Sequence, residues 1–415
     1  MSTKRDVVIG GGVVGLSCAY HLASLGRDVI VLEAAAGPAG GASSHNAGWV
    51  VPSMSEPVPS PQAIRLGLKW LLRGDSPLGV AVSPDPAYIA FLVRMLAACR
   101  ERPYREGIER LAALNAGTFD AFDRLRADGV EFEEHRSGVL YALTTEASAA
   151  RVIADLQRME TWGTPPPRVV RGGELTALEP ALRDRFAVGI LCDRERHIDP
   201  GSFASALAAR VRSLGVDVRT HSRVASVKDR GRFADVALSD GETLAARHVI
   251  VAAGAASGGI RGIRRLRSAV QAGRGYGIDV MVTSGATPRH AIYLPEDKVA
   301  VTPLDAKLRF AGIMEFGPPG RTRTDRSEQL LRAARRSFSD LDPDAVTPWA
   351  ADRPMTPDGL PLIGRLPGSE TLSIATGHAM LGVTLAPVTG QLLAAEIVSG
   401  RDEAALAAFS PRRLV

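Results

Sequence analysis

Cysteine is scarce in this sequence. Only Cys18, Cys99 and Cys192 occur among its 415 residues, and no two of them have the spacing of a metal-ligand pair. Scattered cysteines argue against a disulfide framework or a zinc site, and they favour a reducing compartment. We therefore expect no metal centre and a cytoplasmic location.

Long apolar runs and a strong net charge are also lacking. No segment reaches the roughly 18 consecutive apolar residues of a transmembrane helix, so none is predicted. The first predicted strand begins within six residues of the first Met, which leaves no room for a secretion signal. The net charge of +5 comes mostly from arginine spread along the chain. It suits an acidic small molecule or an anionic membrane surface, and we expect no specific binding to nucleic acid.

A strand–helix–strand unit is present at the start of the chain. Residues 6–10 and 28–33 are apolar runs of strand length, and residues 13–25 have the pattern of a helix. At 415 residues the chain can form two domains, or one large α/β domain that carries a second.

The glycines of this unit have a recognisable spacing. Gly10, Gly12 and Gly15 read G-x-G-x-x-G between the first strand and the helix. The first glycine allows the tight turn, the second lets a pyrophosphate approach the backbone, and the third lets the helix pack on the strand. Glu33 ends the second strand, where a carboxylate accepts hydrogen bonds from an adenosine ribose. The unit predicts a dinucleotide-binding fold.

Three further segments favour a flavin over a nicotinamide nucleotide. The segment GGASSHNAGW (residues 40–49) is small and polar where nicotinamide enzymes normally continue into a helix. The strand-like RHVIVAAGAAS (247–257) ends in Ala-Ala-Gly, which allows a second close approach to the backbone. Near the C-terminus, TGHAMLG is a glycine-rich turn that leads into a helix.

These segments resemble the FAD-dependent D-amino acid oxidase superfamily, most closely the bacterial D-amino acid dehydrogenases (small subunit) and more distantly glycine oxidase. The resemblance covers nearly the whole chain and is most specific in RPMTPDGLPLIG and TGHAMLGVTLAPVTGQLLA. It implies an α/β fold, with a Rossmann-like FAD-binding domain and an inserted substrate domain of mainly antiparallel β-sheet plus helices. The FAD-binding domain is expected at residues 1–56, 200–257 and 349–415, and the substrate-binding domain at 57–199 and 258–348.

The resemblance also implies a reaction. Such enzymes oxidise an amine Cα–H to an imine by hydride transfer to flavin N5, and water then releases a 2-oxo acid and ammonia. The expected substrate is a D-amino acid. Oxidation of a secondary or cyclic amine (D-hydroxyproline, proline, pipecolate, sarcosine) and a role as the flavin-bearing subunit of a larger amine dehydrogenase complex remain alternatives.

Three residues are expected to bind the substrate by this resemblance. Arg353 matches the family position that binds the substrate carboxylate as a bidentate fork, a geometry that suits a guanidinium. Its alternative is an ion pair with Asp352 or Asp358. Tyr293 matches a tyrosine that binds the same carboxylate in glycine oxidase-like enzymes, against ordinary strand packing. Tyr276 matches a tyrosine typical of the dehydrogenases, and whether its ring faces substrate or core is left open.

One departure from glycine oxidase concerns the terminal glycine turn. Glycine oxidase-like enzymes carry a second Arg there, whereas this chain has Met380. A pocket lined by Met380 and Trp49 would be apolar, which favours a substrate with a neutral, hydrophobic or cyclic side chain. Core packing of both residues is the alternative.

The cofactor is expected to lie among backbone-rich segments. The last predicted helix begins at Gly382, and its N-terminus is expected to stabilise the reduced flavin ring. His45 has the spacing of a histidine that is bonded covalently to flavin in dimethylglycine dehydrogenase-like enzymes, although a plain pocket or surface histidine is favoured. The residues expected to contact FAD are Gly10, Gly12, Val13, Val14, Gly15, Glu33, Ala34, Ser43, Ser44, His45, Asn46, Ala47, Gly48, Val224, Ala253, Gly254, Arg353, Gly377, His378, Leu381, Gly382, Val383 and Thr384.

The dehydrogenase resemblance implies an electron acceptor other than oxygen. A quinone or another electron-transfer partner is expected, reached at the inner face of the cytoplasmic membrane. Residues 64–72 combine apolar side chains with Arg65, Lys69 and Trp70, a composition that suits peripheral membrane contact. A helix that only covers the substrate domain is the alternative.

Overall fold

The structure is a computed structural model in which the helices and strands form two units. It describes residues 5–62, 78–160, 165–263, 265–281, 287–317, 323–338 and 345–415. Residues 64–72, for which membrane contact is predicted, lie outside the described residues.

The elements alternate between strands and helices along much of the described chain. In chain order the strands are β1 (Asp6–Ile9), β2 (Val29–Leu32), β3 (Trp49–Val50), β4 (Leu78–Val80), β5 (Glu134–His135), β6 (Val139–Leu143), β7 (Arg168–Arg171), β8 (Val188–Cys192), β9 (Arg196–Ile198), β10 (Asp217–Arg219), β11 (Val224–Asp229), β12 (Ala234–Leu238), β13 (Thr243–Ala246), β14 (Val249–Val251), β15 (Gln271–Met281), β16 (Ala291–Leu294), β17 (Val299–Leu304), β18 (Lys307–Phe316), β19 (Ala345–Met355), β20 (Leu362–Arg365) and β21 (Leu372–Thr376). The α-helices are α1 (Val13–Ser24), α2 (Pro86–Ala98), α3 (Glu101–Asn115), α4 (Thr118–Ala127), α5 (Glu146–Glu160), α6 (Gly173–Leu178), α7 (Pro200–Ser213), α8 (Leu266–Ala269), α9 (Thr324–Ser337) and α10 (Gly382–Ser399).

The first unit is built on a six-stranded sheet in the order β10-β2-β1-β14-β21-β20. All neighbouring pairs are parallel except β20 and β21. The apolar runs of β1 and β2 are buried throughout, as expected for parallel strands that are covered on both faces. Because the carboxyl ends of β1, β2, β14 and β21 meet at one edge, the loops that follow them lie together.

The second unit is built on a nine-stranded sheet. Its main order is β19-β15-β18-β17-β16-β6-β8-β7, and β4 pairs with β18. Most pairs are antiparallel, whereas β16–β6 and β18–β4 are parallel. One face of this sheet packs on α9 through a core that includes Ile278, Phe310 and Leu330. Together the two units confirm the predicted α/β class.

The domain limits expected from the sequence need two corrections. The boundary at residue 349 divides β19, which is one continuous strand of the nine-stranded sheet. In addition, α3 and α4 pack on the first unit, because Leu111 of α3 and Phe122 of α4 lie in the same core cluster as α1 and α10. Their apolar faces cover the parallel sheet's helices, although their positions in the chain lie within the expected substrate domain.

Helix α10 is the one described helix that is long and apolar enough to cross a membrane. About two thirds of it (67%) is buried inside the protein, which is the pattern of a core helix. It crosses α1 closely, since a Cβ atom at Gly390 would lie 2.5 Å from the carbonyl carbon of Ser17. The apolar character of α10 is therefore explained by packing.

Candidate functional site

The glycine turn after β1 is packed backbone against backbone. Gly10 has a φ of +110°, and a Cβ atom there would lie 2.4 Å from the carbonyl oxygen of Ala252. A Cβ atom at Gly15 would lie 2.0 Å from the carbonyl oxygen of Gly10. Both distances are far below van der Waals contact, so no larger residue fits. The turn brings Ala253 and Gly254, which follow β14, next to the end of β1.

The carboxylate of Glu33 points back at this turn. It accepts hydrogen bonds from the backbone N–H of Gly11 at 2.7 Å and of Ala35 at 2.8 Å. The carbonyl of Glu33 accepts from the backbone N–H of Ser222, two residues before Val224. The structure thus brings the predicted ribose carboxylate, the glycine turn and the start of β11 to the same sheet edge.

Residues 43–48 form a compact loop above the start of α1. The hydroxyl of Ser43 accepts a hydrogen bond from the backbone N–H of Val13 at 3.0 Å. The side chain of Asn46 accepts from the backbone N–H of Gly48 at 2.7 Å. Gly48 has a φ of +75°, and a Cβ atom there would lie 2.1 Å from the carbonyl oxygen of Ile198. The small polar residues therefore make a loop that contacts both the helix and β9.

Arg309, which no sequence motif marks, attaches this loop to the second unit. Its guanidinium forms a two-pronged ion pair with Asp279, at 2.7 and 2.8 Å. It also donates to the carbonyl oxygens of Ser44 and Asn46, at 3.1 and 2.9 Å. The indole N–H of Trp349 donates to the same aspartate at 3.0 Å. No local pattern links these residues, because they lie on three strands and a distant loop.

The turn before α10 lies beside the loop. Gly377 has a φ of +77°, which favours glycine. The ring of His378 is buried and bonds through Nε2 to the hydroxyl of Thr389 at 3.1 Å, while Nδ1 has no partner among the described residues. Burial lowers the pKa of His378 to about 3, so the ring is neutral at ordinary pH. Thr384 donates to the backbone carbonyl of Trp49 at 3.0 Å, which places the helix start against β3.

Arg353 carries an unpaired guanidinium. The two acids considered as its partners are bound elsewhere: Asp352 pairs with Arg274 at 2.8 Å, and Asp358 pairs with Arg413 at 2.6 Å. Within the part of the chain that the structure describes, no group hydrogen-bonds to the Arg353 guanidinium. Burial lowers its pKa to about 10, which leaves it cationic at neutral pH. Arg353 is half-buried, and a cation that is partly withdrawn from water without a partner is costly, so it indicates a site for an anion.

Tyr293 lies on the same face of the nine-stranded sheet as Arg309, which binds the loop at residues 43–48, and its partner Asp279. Strand register places Tyr293 opposite Ala300 and places Thr302 opposite Arg309, so these side chains lie on the face that also carries Asp279. The Tyr293 ring makes edge contacts with Trp49 and with Tyr141, at centroid distances of 6.1 and 5.6 Å.

The hydroxyl of Tyr293 has no partner among the residues described. Burial raises its pKa, so the phenol keeps its proton at neutral pH. Tyr141, which no sequence motif marks, lies directly opposite Tyr293 on β6.

Tyr276 corrects the prediction that this ring binds the substrate. Its side chain is 1% exposed and belongs to the core cluster under α9, together with Ile278. Its hydroxyl donates to Glu315 at 2.6 Å, and Glu315 is in turn paired with Arg326. Because side chains alternate along β15, Tyr276 lies on the face opposite to Asp279. The alternative of core packing is the one that the structure supports.

Two other predicted contacts look different in the structure. The side chain of Met380 is 57% exposed, so it is not packed into a closed apolar pocket with Trp49. Trp49 instead donates its indole N–H to Thr302 at 2.8 Å. His45 bonds to the Ser44 hydroxyl at 3.0 Å and makes an edge contact with Trp349, with ring centroids 5.7 Å apart.

These features fit a dinucleotide whose ring end reaches the second unit. The glycine turn excludes side chains where a pyrophosphate would approach, and the Glu33 carboxylate suits a ribose with free hydroxyls. The loop at 43–48 lies over the start of α1, and the turn at 377–382 leads into the helix whose Thr384 contacts Trp49. Beyond them, the unpaired Arg353 and the Tyr293 hydroxyl supply a cation and a proton donor for a second, anionic molecule.

The chain is similar to known proteins along nearly its whole length. Residues 7–396 match the DAO family, described as FAD dependent oxidoreductase. The sequence is 33% identical over 405 residues to D-amino acid dehydrogenase from Methylobacterium radiotolerans, covering 95% of this chain and 96% of that protein. It is 32% identical over 413 residues to the enzyme of the same name from Xanthobacter autotrophicus, covering 96% of each.

Solved structures share the fold. Glycine oxidase from Geobacillus kaustophilus superimposes with a TM-score of 0.76 at 22% identity, covering 100% of this chain and 99% of that chain. L-proline dehydrogenase from P. horikoshii gives a TM-score of 0.71 at 17% identity, covering 99% of this chain and 97% of that chain.

Proposed function

The chain belongs to the DAO family of FAD-dependent oxidoreductases, and we propose that it deaminates a D-amino acid with a neutral side chain to a 2-oxo acid and ammonia. FAD is its cofactor, and it is an amino acid dehydrogenase or oxidase. Two relatives that cover nearly the whole chain are named D-amino acid dehydrogenase, which supports the finer assignment. The observation that carries the proposal is the unpaired guanidinium of Arg353.

Arg353 is proposed to bind the substrate carboxylate. A planar guanidinium can donate two parallel hydrogen bonds to a carboxylate, and such charge-assisted pairs are strong where water is excluded. The protonated hydroxyl of Tyr293 is proposed to donate to the same group. Amines that lack a carboxylate would leave both donors without a partner, so they would be poor substrates.

The reaction requires little acid–base catalysis by protein side chains. The Cα–H bond breaks and its hydrogen leaves with two electrons, the nitrogen loses a proton, and water then replaces the nitrogen at Cα. When bound, FAD supplies the acceptor for the hydrogen and its two electrons. The substrate amine has to enter unprotonated, and the cationic Arg353 near the carboxylate opposes a second positive charge on the amine.

The electron acceptor is proposed to be a quinone at a membrane surface. On α2 the apolar side chains of Ile89, Val93 and Leu96 are 48%, 62% and 60% exposed. Their spacing of four and three residues places them on one face of the helix. An exposed apolar face of this kind suits contact with a bilayer from which a quinone is reached.

Anaerobic reduction of the bound flavin tests the substrate assignment. The purified yellow protein is mixed with D-amino acids, their L-enantiomers, and N-methyl or cyclic amines, and the absorbance near 450 nm is followed. Bleaching by D-amino acids with neutral side chains, and not by the L-forms, is expected. If only proline, pipecolate or sarcosine bleaches the flavin, the enzyme is a secondary-amine dehydrogenase, a function that the fold of L-proline dehydrogenase also accommodates.

The acceptor is tested with the reduced protein. Reoxidation by a soluble quinone analogue at least tenfold faster than by air-saturated buffer is expected. Co-flotation with anionic liposomes, lost in Val93→Glu, would support the membrane surface. Equal reoxidation by oxygen would identify an oxidase and contradict the proposed acceptor.

A further inference from the structure

Strand β15 carries glycine at three alternating positions. Gly273, Gly275 and Gly277 share the face that also carries Asp279, since side chains alternate along a strand. This face of the sheet points toward the loop at residues 43–48. Asp279 pairs with Arg309, and Arg309 donates hydrogen bonds to the carbonyls of that loop. The glycines therefore leave bare backbone on the floor of the site.

Side chains from the neighbouring strand β19 cover this bare backbone. A Cβ atom at Gly275 would lie 1.7 Å from Nη1 of Arg353 and 2.2 Å from its Cζ atom. At Gly277 it would lie 2.0 Å from Cζ2 of Trp349. The guanidinium and the indole thus lie flat across β15 and do not stand away from the sheet.

The position over Gly275 displaces the Arg353 guanidinium in a defined direction. In the sheet order β15 lies between β19 and β18. The side chain of Arg353 therefore extends from β19 over β15, toward the middle of the sheet. Tyr293 lies on the same face, on β16, three strand spacings of about 4.8 Å beyond β15. Because the Arg353 side chain lies flat over Gly275, its guanidinium is closer to the Tyr293 phenol than it would be above its own strand.

The backbone opposite Gly275 is also irregular. The pairing between β15 and β18 shifts register between Gly275 and Tyr276, where Ile313 is passed over. Ile313 has a φ of +53°, which is unusual for a β-branched residue. Bulges of this kind occur next to active sites, where they change the direction of a side chain.

We infer that Gly275 is a positioning residue, whose missing side chain lets the Arg353 guanidinium lie where it meets the substrate carboxylate. The inference rests on the proposed function, in which Arg353 is the carboxylate anchor. With alanine at this position, the 1.7 Å approach would have to open to an ordinary contact of 3.4 Å or more. The guanidinium would then move by more than an ångström, and a misplacement of about 1 Å can cost about 100-fold in rate.

Gly275→Ala is the direct test, and Gly189→Ala is its matched control. The control adds the same methyl group within the same nine-stranded sheet, on β8, where a Cβ atom meets Cδ1 of Leu175 and Cγ2 of Val170 at 2.7 Å. These are the ends of aliphatic side chains in the core under α9, on the sheet face that does not carry Tyr293. With the amino acid that best bleaches the flavin, Gly275→Ala is expected to raise KM about 10- to 100-fold, while FAD content stays the same. Gly189→Ala is expected to change KM by less than about threefold.

A double-mutant cycle distinguishes positioning from general damage. If Gly275 acts through Arg353, adding Gly275→Ala to Arg353→Met is expected to change kcat/KM by less than about twofold. A further loss as large as that in the wild-type background would overturn the inference, as would an unchanged KM in the single variant. Should Gly275→Ala fail to fold, recovery of folded yellow protein by Arg353→Met identifies the guanidinium as the clashing group, and no recovery contradicts it.

A readout independent of turnover separates this inference from the proposed function. Benzoate is titrated against the oxidised protein, and binding is followed by the change in the flavin spectrum. Crystal structures of wild type and Gly275→Ala locate the guanidinium. If the wild type oxidises no amino acid, the proposed function fails, but a guanidinium displaced from β15 with weaker benzoate binding still supports the role of Gly275. A guanidinium that has not moved overturns it.

Discussion

The turn after β1 and strand β15 both depend on closely spaced glycines, but for different physical reasons. At Gly10 and Gly15 the atoms that exclude a side chain are backbone carbonyls, at 2.4 and 2.0 Å from a Cβ position. At Gly275 and Gly277 they are a guanidinium and an indole ring from the neighbouring strand. In the turn after β1 the missing side chains leave room for a cofactor to approach the backbone. On β15 they leave room for the side chains of Arg353 and Trp349 to lie flat on the sheet.

The difference teaches how strictly each glycine is required. Backbone atoms of a sheet edge cannot retreat without moving the strand, so an added methyl group in the turn should damage the fold and FAD binding together. A side chain can retreat, so an added methyl group on β15 should leave the fold intact and misplace only that side chain. Four substitutions test this contrast, in order of decreasing effect.

Gly15→Ala is expected to abolish FAD binding. The added Cβ atom would lie 2.0 Å from the carbonyl oxygen of Gly10, so α1 would have to move away from β1. Purified protein should be colourless, with an absorbance ratio of 450 to 280 nm near zero. Gly37→Ala is the control in the same unit, because a Cβ atom at Gly37 meets nothing within 4 Å. A yellow Gly15→Ala protein would show that the turn tolerates a side chain.

Arg353→Met is expected to lower kcat/KM by about 1,000-fold, since loss of a buried charge partner costs on the order of 2–5 kcal/mol. FAD content should stay unchanged and Tm should not fall, because the guanidinium has no ion-pair partner to lose within the described ranges. Arg274→Met on the adjacent strand removes the same charge from a pair with Asp352 and should change kcat/KM by less than about threefold. Equal losses in both variants would mean that charge in this region matters without a specific anchor.

Arg309→Met tests the connection between the two regions. The change would remove the two-pronged partner of Asp279 and the donors to the carbonyls of Ser44 and Asn46. Breaking a buried pair by removing one partner typically costs about 3–5 kcal/mol in the free energy of unfolding. Lys307 also contacts Asp279 in this cluster, and this keeps the expected loss near the lower value.

Chemical denaturation measures that loss, and flavin release at low FAD concentration measures the effect on the loop. Lys307→Met is the control, because it removes a cation from Asp279, at 3.1 Å, and leaves the loop donors in place. It should cost less than about 1 kcal/mol, the range of partly exposed ion pairs. If Lys307→Met releases FAD as readily as Arg309→Met, the loop contacts do not contribute to cofactor binding.

The same contrast explains what could be predicted from the sequence. The turn at Gly10, Gly12 and Gly15 and the carboxylate at Glu33 lie in one strand–helix–strand unit, so their spacing along the chain reports their spacing in the fold. The relation of Gly275 to Arg353 depends on pairing between β15 and β19, and the paired residues Arg274 and Asp352 are 78 positions apart. No local pattern encodes such a pair.

Arg309 and Tyr276 show the same limit from opposite sides. From the sequence, Arg309 resembles any strand arginine, because Asp279 and the loop carbonyls come next to it only in the folded protein. For Tyr276, the motif GRGYGID suggests a substrate residue but leaves open whether its ring faces the substrate or the core. The alternation of β15 puts the glycines of that motif on the site face and its tyrosine in the core, and alternation becomes informative only when one face is known.

Tyr276→Phe is expected to have the smallest effect of the four. It removes one hydrogen bond, from the phenol to Glu315 at 2.6 Å, and leaves the ring in its core position. Glu315 keeps its ion pair with Arg326 at 2.6 Å, so the carboxylate is not left without a partner. The free energy of unfolding should fall by about 1 kcal/mol, the usual net value of one hydrogen bond, and by no more than about 3 kcal/mol.

The kinetic constants show whether Tyr276 lies on the site face or on the core face of β15. With the amino acid that best bleaches the flavin, KM and kcat of Tyr276→Phe should stay within about twofold of wild type. Tyr293→Phe removes the same hydroxyl from the opposite face and should raise KM about fivefold to tenfold, as expected for one hydrogen bond of about 1 kcal/mol or slightly more. A larger rise in KM for Tyr276→Phe than for Tyr293→Phe would reverse the assignment of the two faces.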